Sequence, residues 1–154
     1  EGELVVNCTG LGARELCNDE EVVPVRGQII YIEQDPGFGR FDQRPENLIY
    51  TIPRRDVTVL GGTAQKGDWH GEVRESDTKE ILKKCSMLWP ELDRSKIVGK
   101  AVGLRPSRNQ VRLEAERSDD KMVIHNYGHG GAGVTLSWGC ADEVVALVSR
   151  LKQP

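Results

Sequence analysis

The chain has 154 residues, of which 38% are hydrophobic, 29% charged and 5% aromatic, a balance that excludes the disordered, collagenous and membrane-embedded classes and supplies one domain's worth of polypeptide. Its 21 basic residues are scattered among 24 acidic ones, for a formal net charge of −3, so the sequence carries neither a nucleic-acid footprint nor a basic membrane patch. The four cysteines, Cys8, Cys17, Cys85 and Cys140, lie far apart with no C-x-x-C pair, which argues against a metal ribbon or disulfide scaffold and for free thiols in a reducing compartment.

No apolar run approaches the roughly 18 residues a membrane span needs, and the opening EGELVVNC has neither a basic start nor a signal core. With no initiator Met and an apolar strand beginning almost at once, residue 1 is expected to be internal to a longer protein. Leu4 to Val6 reads as a short buried strand, Asn7 to Gly12 as a small-residue turn, and Ala13 to Cys17 as one or two helical turns. That order suits a phosphate or dinucleotide, but Gly10 and Gly12 lack the third glycine of G-x-G-x-x-G, so a plain tight turn stays open beside it. Val22 to Glu33 reads as strand, interrupted at Arg26-Gly27, and the punctuation from Asp35 begins a polar loop to about Asn47. Leu48 to Ile52 and Val57 to Leu60 form a hairpin candidate across Pro53 to Asp56.

Ser76 is positioned to cap a helix whose apolar residues Ile81, Leu82, Cys85 and Leu88 share one face, with Trp89-Pro90 marking its end. The run Lys79, Glu80, Lys83, Lys84 is its solvated face. Ile97 to Leu104, Gln110 to Glu114 and Met122 to Tyr127 read as further strands. A closing helix from about Val134 carries Cys140, Val144, Leu147, Val148 and Leu151 at helical spacing, with Arg150 and Lys152 suited to its carboxyl-terminal dipole. Strands first, one central helix and a closing helix predict an α+β layer architecture.

The stretch His129-Gly130-Gly131-Ala132-Gly133, between a strand and a helix, is the most informative. Glycines let a ligand approach the backbone, and a helix start offers unpaired N–H groups with a positive dipole end. An anionic or electron-accepting ligand suits it, with a plain turn into a helix as the bland reading. Arg105, held extended by Pro106, can grip a carboxylate through its planar fork or serve as a surface ion-pair residue. Tyr50, amid Leu48, Ile49 and Ile52, reads by itself as a core ring with a satisfied hydroxyl. Trp69, Trp89 and Trp138 read as packing. The three histidines form no zinc-protease pattern, and no G-x-S-x-G elbow is present, so a catalytic metal and that hydrolase chemistry have little support.

Taken in order, VVNCTGLGA (5–13), VRGQI (25–29), IYTIP (49–53), VLGGTAQKGDW (59–69), GLRPSRNQVRLE (103–114) and VIHNYGHGGAGVTLSWGCA (123–141) resemble the D-amino-acid oxidase and D-aspartate oxidase family. The resemblance runs through nearly the whole chain. It implies an α+β fold in which a mixed, largely antiparallel sheet forms a substrate-binding domain over 21–115. Segments 1–20 and 116–154 would complete an FAD-binding α/β domain, its amino-terminal dinucleotide-binding half absent from this chain. It also implies FAD as cofactor, a D-amino acid and molecular oxygen as partners, and products that are a 2-oxo acid, ammonia and hydrogen peroxide, with no side-chain acid or base.

By position, Arg105 would clamp the substrate carboxylate, Tyr50 would assist it, and the carbonyl of Gly131 would accept from the substrate amine. Gly130, Gly131, Gly133, Val134 and Thr135 would lie against FAD, as would Thr9, Gly10 and the trio Arg26, Gly27 and Gln28. CTGLGAREL, GGTAQKGDW and KAVGLRP look closer to the D-aspartate branch, whose acidic substrate calls for a second cation. Ala64 stands where that branch often has arginine, so Arg44 is the expected cation and Lys66 the reserve. Ala132 stands where the neutral branch tends to carry tyrosine. The alternatives are a neutral D-amino-acid oxidase and a truncated fragment that folds without flavin. The resemblance implies a peroxisomal location, although Lys152-Gln153-Pro154 is not an S-K-L-type address.

Overall fold

The computed structural model of the chain describes residues 4–42, 44, 48–119 and 121–151, and its contacts divide the chain into two compact units. One comprises 1–25 with 105–154, the other 26–104. The expected segment limits fell at 20 and 115. Residues 105–115 belong with the terminal unit because Arg112 to Ala115 pair with the strand that carries Tyr127.

In the terminal unit, β1 (Leu4–Asn7) pairs in parallel with β8 (Lys121–His129), Asn7 opposite His125. The second half of β7 (Ile97–Ser118) pairs antiparallel with β8, with an irregular register between Ser107 and Arg112. The two strands expected at Ile97–Leu104 and Gln110–Glu114 are thus one, and Arg105 lies within it rather than at an end. Pro106, which cannot donate to a ladder, sits beside that irregularity, where a strand tolerates proline. After β1 a 3-10 turn, Gly10–Gly12, leads into α1 (Ala13–Leu16). Ala13, Val22 and Tyr127 form a small core. The closing helix α3 (Gly133–Leu151) packs on β8 with Cys140, Val144, Leu147 and Val148 half-buried, as their spacing predicts, while Val134 is 90% and Trp138 84% exposed.

By length and composition alone, Gly130–Leu151 could cross a membrane, with a mean hydropathy of 1.2. The search for an uninterrupted apolar run in the sequence does not single this helix out. The reason is that its apolar residues are spread around the helix and joined by small ones, so no uninterrupted apolar run exists to be seen. Asp142, Glu143 and Arg150 lie on this helix, and each charge would be costly at a bilayer centre.

In the central unit β2 (Val23–Ile32), which begins in the terminal unit, continues unbroken through Arg26-Gly27. It pairs antiparallel with β5 (Thr58–Gly61), which pairs with β4 (Ile49–Pro53), the expected hairpin. The polar loop contains a strand that alternation did not reveal, β3 (Arg40–Asp42), paired with β4. The two-residue β6 (Gln65–Lys66) pairs with β2. Helix α2 (Glu75–Leu88) buries Ile81, Leu82 and Cys85 against Ile30, Ile32, Leu60 and Trp89. Its cap is Arg74, not Ser76, and no side chain of its own turn caps it. Gln28 of β2 instead accepts from the Arg74 N–H (2.8 Å) and donates to the Arg74 carbonyl (3.0 Å). All four cysteines are free thiols.

Candidate functional site

Strand β8 delivers the chain into the glycine-rich loop through two residues that only glycine fits comfortably. Gly128 has φ +90°, and a Cβ there would lie 2.7 Å from Arg108 Cβ; Gly130 has φ +57°. Both lie in the left-handed region that L side chains avoid. A 3-10 turn over Gly130–Ala132 then opens α3, so the positive end of the helix dipole lies at the loop. His129 Nε2 lies 3.3 Å from Cys140 Sγ, which ties the loop to the second turn of α3.

Beside this loop is a cavity of about 440 Å3, and it gathers Gly10, Arg105, Asn126, Gly130, Gly131 and Val134 with Gly133 on its wall. The three sequence segments that bear these residues are far apart along the chain, and strand pairing brings them together. Arg105 comes close to the glycine loop: a Cβ on Gly131 would lie 3.4 Å from Arg105 Cδ. Its Nη1 lies 3.5 Å from the carbonyl of Val25. Pro106 packs under Gly10, 3.5 Å from where a Cβ would be, and Gly10 has φ +59°.

The back of the loop rests on a polar network that the sequence reading did not single out. Tyr127 donates to Asp19 Oδ2 (2.9 Å) and accepts from Arg112 Nη1 (2.8 Å), and Arg108 Nε pairs with the same Asp19 oxygen at 3.0 Å. Burial pushes the Tyr127 phenol up to about 12. Burial also works to raise Asp19, but the hydrogen bonds from Tyr127 and Arg108 outweigh it and hold the carboxyl below its ordinary value. Arg108 and Arg112 were legible only as part of the stretch around Arg105.

Other expected site residues are placed differently. Thr9 turns its hydroxyl back to Asn7 Oδ1 at 2.7 Å and lines a separate cavity. Thr135 is exposed on the first turn of α3. In the central unit the Arg26 guanidinium is fully buried and bonded to Asp77, Gln65, Gln28 and the carbonyls of His70 and Glu72 at 2.6–3.1 Å. The Gln28 amide is also spent internally, on Arg74 and Thr78, its backbone N–H is held by Thr63, and Arg26, Gly27 and Gln28 are all buried. Tyr50 lies over Gly61, where a Cβ would come within 1.9 Å of the ring. Arg44 is exposed and pairs with Asp42, Nη2 to Oδ2 at 2.5 Å, with Nε 3.0 Å from both carboxylate oxygens. Lys66 is exposed on β6.

The cavity beside the loop has the donor set for one end of FAD. Helix-start N–H groups and Arg105 offer donors and positive charge, three glycines leave space for a flat ring, and Asn126 Oδ1 is buried with no hydrogen-bond partner among the described residues.

Known proteins resemble the chain along nearly its whole length. At 48% identity over 152 residues the chain resembles a D-amino-acid oxidase of Dictyostelium discoideum, covering 96% of this chain and 44% of that protein. A D-aspartate oxidase of Homo sapiens is 41% identical over 152 residues, with the same coverage. Among solved structures, glycine oxidase from Bacillus cereus ATCC 14579 superposes with a TM-score of 0.83 at 21% identity, covering 98% of this chain and 44% of that one. An L-alpha-glycerophosphate oxidase from Mycoplasma pneumoniae, solved with FAD bound, superposes with a TM-score of 0.71 at 15% identity over 94% of this chain and 42% of that one. The chain thus spans less than half the length of these relatives. Residues 1–147 match the DAO family, described as FAD dependent oxidoreductase, and to that family this chain belongs.

Proposed function

We propose that the whole protein is an FAD-dependent D-amino-acid oxidase, converting a D-amino acid, oxygen and water into a 2-oxo acid, ammonia and hydrogen peroxide. The observation that carries this reading is the single cavity in which Arg105 and the glycine loop meet. When bound, FAD supplies the acceptor for a hydride from the substrate α-carbon and passes the electrons to oxygen. Arg105 holds the substrate carboxylate with its planar fork, which fixes the α-carbon in place. The carbonyl of Gly131 accepts from the substrate amine, and Tyr50 adds a hydroxyl donor. The glycine-rich start of α3 aims N–H groups at the cofactor, where they favour added negative charge.

Arg105→Ala in the full-length protein should retain flavin and lose roughly 30-fold to several thousand-fold in kcat/KM, the worth of a buried charge-paired contact. Parent-like kinetics would remove Arg105 from the clamp. A colourless full-length preparation, without flavin absorbance, would instead favour a fragment-like protein that folds without cofactor.

Preference for an acidic substrate is the finer part of the proposal, and it assigns Arg44 to the second carboxylate. Arg44→Ala should then raise KM for D-aspartate by about tenfold and leave D-alanine nearly unchanged. The existing Arg44–Asp42 pair favours a second reading, a neutral substrate, because an acidic one must displace Asp42. Equal kinetics in the parent and variant on D-aspartate would decide for Lys66 or for that neutral reading. A peroxisomal location belongs to the same proposal and is read by cell fractionation.

A further inference from the structure

On the other side of β1 a second cavity, of about 530 Å3, holds a thiol, an imidazole and a carboxylate in series. The orientation of every group in it follows from one unambiguous donor. The backbone N–H of Thr9 donates to Asn7 Oδ1 at 3.1 Å, and the Thr9 hydroxyl donates to the same oxygen at 2.7 Å. That fixes which end of the Asn7 amide is oxygen, so Nδ2 faces Cys17 Sγ at 3.0 Å and His125 Nδ1 at 3.3 Å. With an amide N–H pointing at it, Nδ1 is an acceptor, and the ring proton of neutral His125 resides on Nε2. There it donates to Glu116 Oε2 at 3.2 Å, which can only accept when ionised. The basic nitrogen of His125 is therefore turned toward the sulfur, 3.8 Å away.

We infer that Cys17 is a reactive thiol with His125 as its proton acceptor, Glu116 as the group that orients the imidazole, and a small organic disulfide as its co-reactant. The arrangement is that of an activated nucleophile at the end of α1, a base on β8 and an orienting acid on β7. In the reaction the Asn7 amide gives up Nδ1 and keeps its N–H on the sulfur, the Cys17 proton passes to the freed His125 Nδ1, and the sulfur lone pair attacks one sulfur of the disulfide. The S–S bond breaks, a Cys17–S–S–R mixed disulfide forms, and the thiolate RS− leaves with its electron pair and takes up a proton. The Asn7 N–H stabilises the thiolate, and Glu116 stabilises the imidazolium.

The charged groups that face the pair are Glu15, Arg112 and Glu116 on the cavity wall, with Glu114 felt by His125 on the neighbouring strand. Arg112 pairs with Glu114 at 2.7 Å and shares Glu116 Oε2 with His125, at 2.5 Å against 3.2 Å for Nε2. The site is independent of the oxidase reading, since it uses none of Arg105, the glycine loop or flavin.

The test is the rate of mixed-disulfide formation with oxidised glutathione in the full-length protein, mapped to each cysteine by peptide mass spectrometry from about pH 5 to 9. Cys8, which is exposed, and Cys85, whose burial raises it to about 11, are internal references. Cys17 should react at least about tenfold faster than Cys8 at pH 7. His125→Gln should slow Cys17 about tenfold or more while leaving Cys8 unchanged. Glu116→Gln, at a carboxylate whose side chain is 51% exposed, should slow it severalfold, with an unchanged Cys8 rate and thermal melt showing that the fold is kept. Reaction of Cys17 no faster than Cys8, including none at all, overturns the inference, and so does an unchanged Cys17 rate in Glu116→Gln.

Discussion

A Cβ at position 61 would lie 1.9 Å from Tyr50 Cζ, and one at 62 would lie 3.0 Å from Tyr50 Oη, so the two glycines are the floor on which the Tyr50 ring rests. Gly61→Ala must push the ring aside or bend β5, at a cost of about 1–3 kcal/mol for such overpacking. Urea denaturation should show that loss, together with a changed near-ultraviolet signal from Tyr50. An unchanged midpoint would mean that the ring is not held by this contact. Gly128 is constrained twice over, by its φ and by Arg108, whereas Gly131 keeps an ordinary φ and is needed only for space. The glycine loop was legible in the sequence because the absence of side chains is itself written there. The Asn126 carbonyl was not, because its lack of a partner depends on which strands flank it.

Element by element, α2 shows the same division. Its apolar stripe was readable from spacing, and Ile81, Leu82 and Cys85 are buried as that spacing requires. Its first turn was not readable, since the group that satisfies it is Gln28, 46 residues earlier on β2. Arg26, on the same strand, docks on Asp77 in that first turn at 2.6 Å, with side chains 0% and 7% exposed. Two charges so deep contribute little as a pair but make the loss of either one expensive. Asp77→Asn should therefore cost about 3–5 kcal/mol, seen as a lowered denaturant midpoint. A loss under about 1 kcal/mol, the scale of a surface pair, would show that the remaining bonds of Arg26 suffice. A lone Arg-Gly in a strand gave no sign of this anchor, and it suggested an outward-facing role instead.

For the molecule as a whole, the two units are held by different means. The central unit has an apolar cluster built on Ile30, Ile32, Leu60, α2 and Trp89, while the terminal unit has only Ala13, Val22 and Tyr127 at its centre and leans on the Asp19 network. Because the Asp19 carboxyl sits below its unfolded value, its contribution is fully present above about pH 4 and is lost as pH falls through the lower folded value. Thermal melts should hold steady from about pH 7 to 5 and decline below about pH 4, and Asp19→Asn should start lower and decline less. Parallel decline in parent and variant would place the acid sensitivity elsewhere. The three tryptophans fall unevenly across this division, with Trp89 buried and Trp69 half exposed in the central unit and Trp138 84% exposed on α3. Each unit thus carries its own optical reporter: Trp89 emits from an apolar setting until its cluster opens, and Trp138 emits as if in water until something covers the outer face of α3.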